Sequence, residues 1–100
     1  MAWRVKWTEL AWNGVESAAE YIARDSPRYA AALMREARDA SRSLRRFAKR
    51  GRIVPEENDP NIRELFIQSY RLIYRLRGNE VEIINFIHGA RDLGAIVRKR

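Results

Sequence analysis

The chain has 100 residues and carries 20 Lys and Arg residues against 13 Asp and Glu residues, so its formal net charge is +7. A chain of this length makes one domain, and its 46% of apolar residues suffices for one modest core rather than for a disordered polymer. It has no cysteine, which excludes disulfides and thiolate metal sites, and no apolar run approaches the roughly 18 residues of a membrane span.

The first predicted element is a short strand over residues 3–7. Trp3, Val5 and Trp7 alternate with basic residues, which is the period of a half-buried strand. The same alternation leaves no apolar run of the kind that a signal peptide carries. We therefore expect a single domain, residues 1–100, that works in the cytoplasm without a membrane, and we expect Trp3 and Trp7 to enter the core.

Two helices follow this strand. Thr8 suits the N-cap of the first helix, in which apolar residues recur at spacings of four and three; Trp12 lies off this stripe, where it could help to cover a partner. Ser26 and Pro27 start a second helix, which is expected to continue to about Ala48. The connection is short, so the helices should form an antiparallel hairpin. The predicted apolar stripes are Ala11, Val15, Ala18 and Ile22 in the first helix and Ala30, Leu33, Ala37, Ala40, Leu44 and Phe47 in the second.

The second half of the chain predicts a loop and three strands. Residues 51–61 contain two prolines and several polar or acidic residues, which is typical of a loop. Gly78 and Asn79 suit a two-residue hairpin turn. The strand after this turn is apolar on both faces and should be central in the sheet. Its predicted faces are Val81, Ile83 and Ile87 on one side and Ile84 and Phe86 on the other. Residues 91–100 are expected to form a short tail.

The order strand, helix, helix and three strands predicts an α+β fold. Short strands need a helical layer over one face. The helical hairpin should therefore pack on a small, mainly antiparallel sheet to give a two-layer β-α-α-β-β-β domain. On the middle strand of the three, Tyr70, Leu72 and Leu76 should point towards the helices, and Arg71 and Arg75 towards the opposite, more exposed face.

Basic residues give the strongest signal in the composition. Seventeen of them are arginine, whose planar guanidinium makes bidentate contacts with phosphate and carboxylate. Residues 42–52 include six bases and no acid, so this segment is either a docking surface for an acidic helix or a solvated helix end. We expect a polyanionic partner, unless the sheet arginines pair across strands with Glu64, Glu80 or Glu82. The candidate binding residues are Arg52, Arg63, Arg71, Tyr74, Arg75 and Arg91.

His88 is the only histidine, and histidine is the side chain that normally titrates near neutral pH. Together with Arg71 and Arg63 it is a candidate catalytic residue for cutting RNA, which needs proton transfer and stabilisation of charge on the scissile phosphate. The alternative is a structural histidine, hydrogen-bonded within the fold. One histidine and scattered acids make no metal-ligand cluster, so we expect neither a metal nor another cofactor.

Four segments of the second half stand in an order that resembles a known family. They are Gly51-Arg52-Ile53-Val54-Pro55-Glu56, Asp59-Pro60-Asn61-Ile62-Arg63-Glu64-Leu65, Tyr70-Arg71-Leu72-Ile73-Tyr74-Arg75 and Ile87-His88-Gly89-Ala90-Arg91-Asp92-Leu93. With the opening strand and the helix pair, this set resembles the RelE/ParE superfamily of bacterial type II toxin–antitoxin toxins over nearly the whole chain.

The resemblance implies a fold like the one predicted above, growth inhibition, and a hetero-oligomer with a cognate antitoxin. The motifs are more similar to the ParE-like branch, whose members poison DNA gyrase and are not known as nucleases. The alternative is the RelE-like branch, which cleaves mRNA on the ribosome and tends to carry several lysines after the second helix, where this chain has Lys49 alone. In that alternative Arg52, Arg63 and Arg71 bind phosphates and His88 transfers protons. A third interpretation is a relative that keeps the fold without the activity.

Overall fold

The elements follow one another in the order strand, two helices and four strands. The computed structural model describes residues 2–90; the expected tail, residues 91–100, lies outside the described residues. The elements are β1 (Arg4–Trp7), α1 (Glu9–Ala23), α2 (Pro27–Ser43), β2 (Arg52–Ile53), β3 (Ile62–Ile67), β4 (Tyr70–Arg77) and β5 (Glu80–His88). The predicted α+β order is confirmed, with β2 as an additional short strand in the segment expected to be a loop.

The strands of the described residues form one mixed sheet in the order β1-β5-β4-β3-β2. β1 runs parallel to β5, with Arg4 beside Glu80 and Trp7 beside Ile83, and the other neighbours are antiparallel. A tight turn cannot join two parallel strands, which need a long connection. The connection from β1 to its parallel neighbour β5 contains α1, α2 and the other strands. β5 lies between β1 and β4, which confirms the central position predicted from its two apolar faces.

Both helices begin at the predicted caps. The Thr8 hydroxyl accepts a hydrogen bond from the Ala11 amide at 3.1 Å, and the Ser26 hydroxyl accepts one from the Tyr29 amide at 3.2 Å. These side chains satisfy amides that have no partner within their helices. No helix among residues 2–90 has the length and apolar character needed to cross a membrane.

The second helix is shorter than predicted. It ends at Ser43 rather than near Ala48, and the chain continues in tight turns in which the Leu44 amide bonds to the Ser41 carbonyl at 3.1 Å. The hydroxyls of Ser41 and Ser43 donate to backbone carbonyls three residues earlier, an alternative to regular helical bonding. Phe47 is therefore off the helical stripe, and it is 60% exposed instead of buried.

The core beneath the helices contains most of the predicted stripe positions, with Phe47 as the exception. Ala11, Val15 and Leu33 are fully buried there, together with Leu72 of β4. Trp3 and Trp7 pack partly buried against this core, which confirms their predicted place. The remaining tryptophan, Trp12, meets the Trp7 ring edge-on, with centroids 5.3 Å apart.

A bulge in β5 changes the predicted faces of that strand. Ile73 pairs with Asn85 but Tyr74 pairs with Ile83, so Ile84 is an extra residue between them. The extra residue reverses the alternation beyond it. Phe86 consequently joins the core beneath the helices, and Ile87 lies in a second apolar cluster together with Ile84. That cluster consists of Val54, Ile62, Ile73, Ile84 and Ile87.

Candidate functional site

Arg71 lies on the predicted side of the sheet, but it is not exposed. The residue is 4% exposed, and its Nε lies 2.6 Å from a carboxylate oxygen of Glu64 on β3. Its two terminal nitrogens make a bidentate contact with Glu56, at 2.9 and 2.8 Å. The expectation that Arg71 is exposed is therefore wrong. Its charge is neutralised by Glu64, which was among the expected acidic partners, and by Glu56, which was not.

Glu64 extends this contact into a network. Its side chain is fully buried, and its second oxygen lies 2.5 Å from Nε of Arg52 on β2. The Arg52 guanidinium also lies 5.0 Å from the centroid of the Phe66 ring, where a cation–π contact holds it. We call Arg52, Glu56, Glu64 and Arg71 the ion network; it joins β2, β3 and β4 to the loop that contains Glu56.

The ion network fixes the charges of its members. Hydrogen bonds from Arg71 lower the pKa of the Glu56 carboxyl from 4.5 to about 2, although partial burial opposes the shift. The same bonds, and then those to Glu64, raise the pKa of Arg71 above its usual value. Neither group exchanges a proton near neutral pH, so this pair can hold charge in place but cannot act as an acid or a base there.

Tyr74 and Arg63 both turn towards the backbone that follows α2. Tyr74 is fully buried, which raises the pKa of its hydroxyl, and this hydroxyl accepts a hydrogen bond from the Gly51 amide at 2.9 Å. Arg63 donates to the carbonyls of Lys49 and Gly51 at 3.2 and 3.0 Å, and to the carbonyl of Pro60 at 3.1 Å. These two candidate binding residues thus hold the segment of residues 49–51 in place.

The remaining candidate binding residues differ in exposure. Arg52 is exposed apart from its contacts in the ion network, whereas Arg75 is half-buried, with Nη1 3.9 Å from Glu82. Arg91 lies outside the described residues. The structure therefore does not combine the candidate arginines into one open surface: Arg71 is enclosed, and Arg63 lies on the helical side of the sheet.

The three candidate catalytic residues are not brought together. His88 is exposed at the end of β5, where its Nδ1 accepts a hydrogen bond from the Ala90 amide at 3.2 Å. His88 pairs with Tyr70, and Arg63 pairs with Tyr74 four residues further along β4, which corresponds to about 13 Å. Arg71 lies on the other face of the sheet from both. Within residues 2–90, no group of His, Cys, Asp and Glu has the arrangement of a metal site.

An apolar groove between α1 and β5 is a feature that sequence reasoning missed. It encloses about 410 Å³, and its lining includes Leu10, Gly14, Tyr21, Tyr70, Phe86 and His88. We call it the α1–β5 groove. Leu10 and Tyr21 are 56% and 65% exposed along it, so large apolar side chains at this groove are open to solvent. The available signal was that both residues fall off the buried stripe of α1.

The fold and these contacts define a small basic α+β domain with a helical hairpin on one face of a mixed sheet and a buried ion network on the other. Residues 5–93 match the family model described as the ParE toxin of the type II toxin–antitoxin system parDE. The chain therefore belongs to the ParE toxin family, and the predicted resemblance to the ParE-like branch is confirmed.

A solved structure agrees with this assignment at the level of the fold. A chain of the chromosomal ParDE toxin–antitoxin system from P. aeruginosa superposes with a TM-score of 0.70 and 20% sequence identity, over 87% of this chain and 96% of that chain. In the comparison with curated proteins, none matches this chain.

Proposed function

We propose that this protein is a toxin that inhibits DNA gyrase by direct contact in the cytoplasm, and that a cognate antitoxin neutralises it. The observation that carries the proposal is the match of residues 5–93 to the ParE toxin family. The output would be growth inhibition whenever the antitoxin is lost.

The surface is compatible with a protein partner of opposite charge. The net charge of +7 favours fast encounter with an acidic chain. The α1–β5 groove offers an apolar binding surface that includes the exposed side chains of Leu10 and Tyr21. An amphipathic, acidic segment of the antitoxin would satisfy both features, and the proposed functional form is a hetero-oligomer of toxin and antitoxin.

The ribosome-dependent nuclease receives less support from the geometry. That mechanism needs phosphate-binding arginines and a proton donor around one phosphate. Among the described residues, Arg71 is occupied by two carboxylates, Arg63 by three carbonyls, and His88 lies at the far end of β4 from Arg63. We therefore propose inhibition by binding as the principal mechanism.

The deciding experiment measures gyrase supercoiling of a relaxed plasmid and cell-free translation side by side, with the same purified toxin. The expected result is loss of supercoiling at micromolar toxin while translation continues, and recovery when the co-encoded antitoxin is added. Blocked translation with intact supercoiling would reverse the assignment in favour of the mRNA endonuclease.

The antitoxin part of the proposal has a matched pair of variants. Tyr21 and Tyr29 are both 65% exposed, but only Tyr21 lines the α1–β5 groove. Tyr21→Glu should weaken antitoxin binding at least tenfold in a calorimetric titration, since it places a charge against an apolar, acidic partner. Tyr29→Glu should change it little. Equal effects of the two variants would place the antitoxin elsewhere.

A further inference from the structure

The segment that follows α2 carries cations without acidic partners. Arg45, Arg46, Lys49 and Arg50 are all exposed, and none of them forms an ion pair with another described residue. Within residues 2–90, the Arg50 side chain donates only to the hydroxyl of Ser43. This contrasts with the ion network on the sheet, in which every charge has a partner.

The backbone that presents these cations is fixed. The Trp3 amide donates to the Arg45 carbonyl at 2.8 Å, so β1 holds one end of the segment. Arg63 and Tyr74 hold the other end through Lys49 and Gly51, as described above. Ala48, between the two ends, is 3% exposed. The cationic side chains therefore project from a rigid base, which lowers the entropy cost of binding through them.

The same segment forms one wall of a groove. The groove encloses about 490 Å³ and is lined by Trp3, Arg46, Phe47, Ala48, Lys49 and Arg50. Phe47 is 60% exposed, and the Arg46 guanidinium lies 5.7 Å from its ring centroid. An exposed aromatic ring among cations that have no acidic partner is an arrangement by which proteins hold unpaired nucleotides: cations meet the phosphates and a ring meets a base.

We infer that this groove binds single-stranded nucleic acid, with the phosphates on Arg46, Lys49 and Arg50 and one base stacked on Phe47. A continuous strand supplies one negative charge per nucleotide and can therefore meet several fixed cations at once. Bases in a duplex are stacked on one another and offer no free face to Phe47. An acidic peptide could pair with the cations, but its carboxylate side chains have no aromatic face to stack on Phe47. The inference goes beyond gyrase inhibition and does not depend on it.

The test uses the purified full chain and labelled strands of about 12 nucleotides, a length within the usual range for such sites. Fluorescence anisotropy compares deoxythymidine and uridine strands with an abasic strand of equal length, the corresponding duplex, and polyglutamate as a competitor. The thymidine or uridine strand should bind more tightly than the abasic strand and the duplex, and the stronger binder of the two is the strand used with the variants. Phe47→Ala should weaken binding of that strand on the order of 5- to 100-fold and leave abasic binding unchanged.

Matched variants separate the groove from general charge. Arg46→Gln and Lys49→Gln should each reduce the slope of log affinity against log salt by about 0.7, whereas Arg38→Gln, an exposed arginine elsewhere on α2, should not. Tyr29→Ala is the aromatic control, and Phe47→Trp should retain binding. Equal affinity for base-bearing and abasic strands, a preference for the duplex, or displacement by polyglutamate at lower concentration than by the strand would overturn the inference.

Discussion

Arg71 shows how much the face of the sheet away from the helices depends on one side chain. Its guanidinium and the Glu64 carboxylate are 5% and 0% exposed. Removing Arg71 leaves the buried Glu64 carboxylate with only its contact to the exposed Arg52, so Arg71→Met should lower the free energy of unfolding by about 3 kcal/mol in urea titrations. Arg75→Met is the matched control on the same strand; its 3.9 Å contact with Glu82 predicts a loss below about 1 kcal/mol. Equal losses in the two variants would contradict the structural role of the ion network.

Glu56 makes the free energy of unfolding depend on pH in the acidic range. Its pKa is about 2 in the folded chain and 4.5 without its partners, so its contribution is complete above about pH 4.5 and is lost as the pH falls towards 2. Because 32% of this side chain is exposed, we expect the contribution to be about 1–2 kcal/mol at neutral pH. Urea titrations should show Glu56→Gln less stable than the parent at pH 7, with more than half of that difference gone by pH 3. Glu16→Gln, on the exposed side of α1, should show no such trend, and a difference that persists at pH 3 would exclude this origin.

The sequence predicted the side of the sheet on which Arg71 lies but not its exposure. Successive side chains of a strand point to opposite faces of the sheet, and this local rule correctly placed Leu72 and Arg71 on different faces. Exposure depended on Glu56, which comes from a loop 15 residues away, and on Glu64 of the neighbouring strand. No pattern within β4 carries information about these contacts. Tyr74 was missed as a structural residue for the same reason, since its hydroxyl bonds to an amide 23 residues away.

At the scale of the elements, Gly14 sets how closely α1 approaches β5. A Cβ atom at this position would lie much closer to the Phe86 carbonyl oxygen than van der Waals contact allows. On a free helix Gly→Ala is favourable by about 1 kcal/mol, but here Gly14→Ala should destabilise the protein by about 1–3 kcal/mol, because the backbone of β5 cannot yield easily.

The adjacent residue provides the control for Gly14. Asn13 is exposed on the same helix, so Asn13→Ala should leave thermal stability unchanged or raise it slightly. Differential scanning calorimetry of both variants checks the prediction. A melting temperature of Gly14→Ala at or above that of the parent would show that α1 can move away from β5 at little cost.

Element types were predictable from the sequence, whereas their irregularities were not. The caps at Thr8 and Ser26 use local chemistry, and both helices begin where these residues indicate. The bulge at Ile84 depends on how β5 pairs with β4, and it reversed the faces of Phe86 and Ile87. The early end of α2 depends on serine hydroxyls that compete for carbonyls, a competition that an apolar stripe ending in Phe47 does not reveal.

The whole molecule is tied together by one core that the helices and the sheet share. Ala11 and Leu33 of the helices lie in the same buried cluster as Leu72 and Ile83 of the sheet. β1 closes on β5 through a parallel pairing that spans most of the chain. Isolated helices of this length are marginal in water, so neither layer should keep its structure after the other is lost. If residues 1–100 form a single domain, as expected, the chain should unfold in one cooperative transition.

Urea unfolding should show one transition by two probes that observe different parts of the molecule. Far-ultraviolet circular dichroism reports mainly α1 and α2. Tryptophan fluorescence reports the region around β1 and the start of α1, because Trp3 directly precedes β1, Trp7 ends it and Trp12 lies in α1. Leu72→Ala changes neither probe directly, yet it removes a fully buried side chain from β4. It should lower stability by about 2–5 kcal/mol and shift both transitions together. A fluorescence midpoint that moves while the helical signal stays would mean that the helical hairpin folds by itself, and the chain would then contain two cooperative units instead of one.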